Sequence, residues 1–189
     1  RERGCARAGY KAMSKVSPDL QLQSIFEEGN VVDRVSQRSI FSDGITVTNV
    51  RIEEASGVTS TLMADKSVGR INQATFVTPE GEATRLDSIE RSGDKWSHDE
   101  VKSSLSVKDK HIFDALVSTD RVRRAGLDVD EIRLVHLNSD WRLGDSEDEL
   151  FQVTDITKRI EDPILVDFLS DTYEALQKGT APAASLVPG

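Results

Sequence analysis

Asp87 and, one short hairpin later, Glu100 and Lys102 are the residues of this chain whose types and spacing could do chemistry. Glu100 and Lys102 stand two apart in KWSHDEVKSS. Side chains alternate faces along a strand, so both project from one side of a sheet, about 6 to 7 Å apart. Asp87 comes alongside them if its own segment, TRLDSIER, pairs with theirs. Two carboxylates and an ammonium then converge. Clustered carboxylate oxygens suit a hard divalent cation, Mg2+ or Mn2+, which takes one or two of them and completes its shell with water and phosphate oxygens. Such a cation activates water and stabilises charge on a phosphodiester, with Lys102 beside it to position the water or offset the phosphate charge. The same three residues on an exposed face would be an ordinary solvated charge cluster, and spacing by itself leaves both readings open.

The elements that must position these residues follow from hydrophobic period. Residues 84–91 alternate apolar and polar, break at Ser92-Gly93-Asp94 and resume at Lys95, which predicts an antiparallel hairpin. Ahead of it, residues 20–39 predict an amphipathic helix with Ile25, Phe26, Val32 and Val35 on one face. A strand over 45–52, a short helical piece over 59–66 and a strand over 70–78 follow, with a turn at Pro79-Glu80-Gly81-Glu82. Beyond Lys102 the pattern predicts a helix over 110–125 stopped by Gly126, then a strand over 131–138. Asp162-Pro163 opens a last helix, with Ile164, Leu165, Phe168, Leu169 and Leu176 as its apolar stripe and Gly179 as its stop. Trp141, Phe151 and Val153 are expected to cover the core, and the Ala/Pro-rich residues 180–189 to be disordered. The fold class is therefore α/β: helix, three antiparallel-to-mixed strands, helix, strand, and a C-terminal helix.

The run DSIERSGDKWSHDEVKSSLSVKDKHIFD, with RRAGLDVDEIRLVHLNSDWRLGD and FQVTDIT after it, resembles a bacterial family of uncharacterised RecB-like proteins in the PD-(D/E)XK nuclease superfamily. That family is related to CRISPR-associated and AddB-type iron–sulfur exonucleases, and the resemblance covers residues 4–179. It implies one domain with a restriction-endonuclease-like core and metal-dependent cleavage of DNA phosphodiesters. Carried over, it makes Asp87 and Glu100 metal-binding carboxylates, the backbone carbonyl of Val101 a further ligand, and Lys102 the catalytic lysine.

The chain departs from the family pattern at particular residues. Where the family's first helix offers a histidine ligand near a glycine, this chain has Asn30 beside Gly29, with Glu27 and Glu28 close by. Any of these three can offer an oxygen to a hard cation, and the segment also reads as packing plus a solvated acidic turn. Ser118 and Asp120 stand where a glutamine and a tyrosine are expected on the helix after the Glu100 strand. His98 and Asp99 precede Glu100 where the family strand is apolar; His98 is expected at the surface, and Asp99, turned toward the core, needs a charged partner. His111 and His136 read as ordinary histidines. Cys5 stands where the first thiolate of an iron–sulfur cluster would be, but a cluster needs about four ligands and this is the chain's single cysteine. Cys5 is expected to be a reduced thiol, with a cluster completed only by residues outside this sequence, and the sequence reads as a fragment of a longer protein.

Net charge is −9 over 189 residues, which opposes binding to phosphates until its distribution is considered. Residues 102–124 carry six basic against three acidic side chains, whereas 140–174 carry three against eleven. Lys108, Lys110, Arg121, Arg123 and Arg124 are therefore candidates to grip a DNA backbone without reading sequence, and a solvated helix face is the competing reading. No apolar run approaches the ~18 residues that span a bilayer, and no signal peptide is recognisable. The expected location is cytoplasmic, with no membrane partner and with further domains or subunits possible. The departures at Asn30, Ser118 and Asp120 keep a second function open: the same fold binding nucleic acid or a protein without cutting.

Overall fold

The computed structural model describes residues 20–48 and 51–178, with the side chains of 20–27, 176 and 177 outside that description. Cys5, Gly179 and residues 180–189 lie outside it, as do the side chains of Ile25, Phe26, Glu27 and Leu176. In chain order the elements are α1 (Leu20–Arg38), β1 (Ile45–Thr46), α2 (Ile52–Ala64), β2 (Arg70–Val77), β3 (Ala83–Ser92), β4 (Lys95–Lys102), α3 (Asp109–Arg124), β5 (Val129–Leu137), β6 (Phe151–Asp155), α4 (Thr157–Ile160) and α5 (Pro163–Gln177). One turn of 3-10 helix, Glu147–Leu150, precedes β6.

The six strands form one mixed sheet in the order of the sequence, β1 to β6. The β2/β3, β3/β4 and β5/β6 pairs are antiparallel and the β1/β2 and β4/β5 pairs parallel. Each parallel step carries its crossover helix, α2 before β2 and α3 before β5, as parallel pairing requires. The β3–β4 hairpin closes over two residues, with Gly93 at φ 62° in the first central position, where a two-residue turn favours glycine. Gly126, at φ 96°, ends α3 in the left-handed conformation that a β-carbon disfavours.

Ile71, Ile89, Ile132 and Leu134 are fully buried in the sheet, each contributing roughly 1.5–3 kcal/mol by leaving water. They join Ile112, Ala115, Leu116 and Val122 of α3 and Phe168 and Leu169 of α5 in one core. Phe113 and Phe168 meet edge to face, ring centres 4.9 Å apart, and fix α5 against α3. A second cluster of Phe41, Val135 and Phe151 receives Val32 and Val35 of α1 together with Val101.

Three expectations about elements are corrected. The strand over 45–52 reduces to Ile45–Thr46, paired with Ile71 and Asn72, and Ile52 already belongs to a helix. The helical piece predicted from residue 59 therefore starts at Ile52: Glu53 and Glu54 suit its first turn, and Ala55 and Thr59, one turn apart, are its buried face. Residues 151–155 form a sixth strand, so Phe151 is buried while Val153, on an edge strand, is 56% exposed. Trp141 is half-buried and held by its ring N–H on the Ser146 carbonyl at 2.9 Å. On α5 the buried stripe runs through Phe168, Leu169 and Thr172 with Leu165 beside it, and Ile164, at 63% exposure, is outside it.

Candidate functional site

The β3/β4 ladder runs from Ser92–Lys95 to Ser88–Asp99 and stops one step short of Asp87 and Glu100. At that step the strands part, and Asp87 Oδ2 accepts the Val101 backbone N–H at 2.7 Å. A side-chain carboxylate thus takes a backbone donor at the point where the sheet opens. On the far side of β3, Asn72 pairs with Ser88 and Ala74 with Leu86, so the residue facing Asp87 is Gln73. Gln73 holds φ 57°, in the left-handed region that glutamine rarely adopts, at a cost on the order of 1 kcal/mol. Its Nε2 donates to both carboxylate oxygens of Asp33 on α1, at 3.1 and 3.0 Å, and Gln37 Nε2 adds a third bond at 2.9 Å.

Glu100 is held from its own strand. Lys102 Nζ donates to Glu100 Oε1 at 2.9 Å and to Asp114 Oδ2 of α3 at 3.2 Å. His98 Nε2 lies 3.4 Å from Glu100 Oε2, and His98 Nδ1 lies 3.0 Å from Thr119 Oγ1 of α3. His98 is 0% exposed, not at the surface as expected, because α3 covers that face of β4.

The electrostatics divide the two carboxylates. Burial and the charge of Glu100 hold the Asp87 carboxyl well above the usual carboxylate range, against the Val101 hydrogen bond that lowers it. Burial also works against ionised Glu100, yet His98 and Lys102 outweigh it and bring Glu100 down to about 2. Lys102 is likewise opposed by burial but raised by Glu100 and Asp114, so it stays an ammonium. Asp33 is raised by burial, partly offset by Gln37 and Gln73, with the charge of Glu100 raising it further. Burial, with the charge of Lys102, lowers His111 to about 4. Pairs of acids pushed apart in this way are a recurrent property of working sites.

Asp87, Glu100 and Lys102 are therefore brought together, and the Val101 backbone meets Asp87 through its N–H. On α1, Glu28 and Asn30 are exposed, and the helix presents Asp33 to the group. Two of the five candidate DNA-gripping residues are committed elsewhere. Arg123 donates to the Val129 carbonyl at 2.9 Å. Arg124 bonds Asp120, Glu80 and Glu82 and lies over the Tyr173 ring. Asp120 accepts from Arg124 and from the Tyr173 hydroxyl at 3.0 Å, so its charge serves the α3–α5 contact. Lys108 and Lys110 are exposed and Arg121 and Ser118 half-buried. His136 is buried against the Thr154 hydroxyl at 3.2 Å, and His111 accepts the Lys108 backbone N–H, both as ordinary structural histidines. Asp99 finds the partners it requires, Arg70 and Arg133.

Among the described residues, no three His, Cys, Asp or Glu side chains gather closely enough to hold a metal ion as they stand. The Asp87 and Glu100 carboxylates are the oxygen donors a hard cation of the Mg2+ kind would meet here, each near enough for its charge to act on the other. Such an ion keeps several waters and needs one or two carboxylates. His98 Nε2 is buried beside Glu100 with no hydrogen bond made, 3.4 Å from Oε2. The surface groove on α2 lined by Glu54, Gly57, Val58, Thr61 and Leu62 shares no residue with this group.

No family model matches this chain, and no curated protein is significantly similar to it. No helix among the described residues is long and apolar enough to cross a membrane.

Proposed function

We propose that this domain hydrolyses DNA phosphodiesters with a divalent cation, as a nuclease of the restriction-endonuclease-like, RecB-like kind. The observation that supports the reading is the meeting of Asp87, Glu100 and Lys102 where β3 and β4 part, with the two carboxyls driven in opposite directions. A bound Mg2+ or Mn2+ would supply Lewis acidity toward the phosphate and a nucleophile at neutral pH. Asp87 and Glu100 are the residues that would hold it, and its charge would offset the burial and the repulsion from Glu100 that raise Asp87. Lys102, kept charged by Glu100 and Asp114, orients the attacking water or meets the charge that grows on the phosphate. Lys108 and Lys110, exposed at the start of α3, would hold the backbone without reading bases.

A specific observation favours a second reading, binding of nucleic acid or a protein without cleavage. On α1 it is Asp33, held by Gln73 and Gln37, that faces the group, while Glu28 and Asn30 are exposed. Incubating the pure protein with linear single- and double-stranded DNA in Mg2+ or Mn2+ separates the two. Cleavage by the wild type, reduced about 100-fold or more in Asp87→Ala and Lys102→Ala, is expected for the hydrolase. Equal inertness of all three proteins, with binding retained, leaves the second reading.

A further inference from the structure

We propose that His98, held by Thr119, is a positioning residue that fixes the Glu100 carboxylate for its ligand role. The proposal rests on Glu100 being a cation ligand, as in the function proposed above. His98 and Thr119 are both 0% exposed, so neither can satisfy its polar atoms with bulk water. The other two buried threonines on helices, Thr59 and Thr172, donate their hydroxyls to the carbonyl one turn back, at 2.9 and 2.8 Å. Thr119 instead lies 3.0 Å from His98 Nδ1. A hydroxyl donated to Nδ1 leaves the ring proton on Nε2, and Nε2 lies 3.4 Å from Glu100 Oε2 with no other partner.

The consequence is a continuous polar chain: Thr119 to His98, His98 to Glu100 Oε2, Glu100 Oε1 to Lys102 at 2.9 Å, and Lys102 to Asp114 at 3.2 Å. It begins and ends on α3. Strand alternation explains why it can exist, since residues 98, 100 and 102 share a face. Each oxygen of Glu100 therefore has its own neighbour on β4, one two residues before it and one two residues after. At 3.4 Å, Nε2 stands just outside the hydrogen bond that would fix the plane of the Glu100 carboxylate. Partners behind a metal ligand commonly govern its affinity in this way, with losses of about 10- to 100-fold when they are removed.

The test uses the full chain as wild type, His98→Leu, His98→Gln and Thr119→Val. Mn2+ binding is read by calorimetry, and the His98 ring and Glu100 carboxyl by 15N and 13C NMR. The expected wild-type ring signature is the Nε2–H tautomer, lost or mixed in Thr119→Val, with the Glu100 carboxyl resonance moving in step. His98→Leu is expected to weaken Mn2+ roughly tenfold or more, and His98→Gln, whose amide nitrogen reaches the position of Nε2, to recover most of that. If His98→Leu does not fold, Thr119→Val, of the same shape and apolar, carries the comparison. An Nδ1–H tautomer in the wild type, or a folded His98→Leu that binds Mn2+ as tightly as wild type, overturns the proposal. Absence of any Mn2+ binding by the wild type would instead overturn the cation reading of Glu100. In that case the tautomer and the Glu100 resonance still decide whether His98 holds the carboxylate.

Discussion

Gln73 shows how a single backbone angle builds the candidate site. A glutamine at φ 57° in mid-strand is strained, and what it gains is a side chain aimed at Asp33 rather than along the sheet. Gln73→Gly removes the strain and the clamp together. Its stability is expected to be unchanged or to rise by up to about 1 kcal/mol, while cleavage or Mn2+ affinity falls, and parallel thermal melts and activity assays check both halves. Loss of stability without loss of function would show Gln73 to be structural only. Asp87, Glu100 and Lys102 were legible because residue type and a two-residue period specify a face without knowledge of the rest of the chain. Asp33 was not, because the phase of α1 against the sheet depends on packing, and nothing in the letters around residue 73 announces a left-handed glutamine. His98 was placed on the correct face, but whether that face meets water depends on α3, which the period of β4 does not report.

Between elements, a buried ionic network lies on the side of β4 away from Glu100. Asp99, 1% exposed, receives Arg70 at 2.8 Å and Arg133 at 2.6 and 2.9 Å, and both arginines also reach Glu90. The network joins β2, β3, β4 and β5 beneath the site. Asp99→Ala leaves both guanidiniums with Glu90, and each with one further acid, Asp43 for Arg70 and Glu131 for Arg133, so a loss of about 1–3 kcal/mol is expected, read as a shift in the denaturant midpoint. A change under about 1 kcal/mol would show that the arginines find water or other acids instead. The need for a partner was readable from the phase of Asp99 on its strand. The partners were not, since they come from strands on either side whose register only the folded sheet defines. The boundary between β1 and α2 was misread for a related reason: residues 45–52 alternate well enough for a strand, but Ala55 and Thr59 bury one helical turn apart and carry the helix back to Ile52.

For the molecule as a whole, the six-stranded order follows the chain, and the alternation of apolar period made most of it legible; the edge strand β6 escaped because residues 151–155 are short and half exposed. The net charge of −9 and the engagement of Arg123 and Arg124, exposed though both are, leave Lys108 and Lys110 to carry most of any phosphate contact in the basic segment. DNA binding is then expected to be weak, with a slope of log affinity against log salt of only about −2, measurable by fluorescence anisotropy. A slope several times steeper would mean that other basic residues take part. The two-residue turn of the β3–β4 hairpin has a kinetic side as well. It is the shortest connection in the sheet, so its strands can meet within microseconds, whereas β5 must wait for α3 to form and cross over. Asp87 and Glu100, one step beyond the last pair of that ladder, are thus brought near each other early, while little else of the fold exists to hold them. Their burial waits for α3, which covers the Glu100 face of β4, so the cost of taking the pair out of water falls on the docking of that helix.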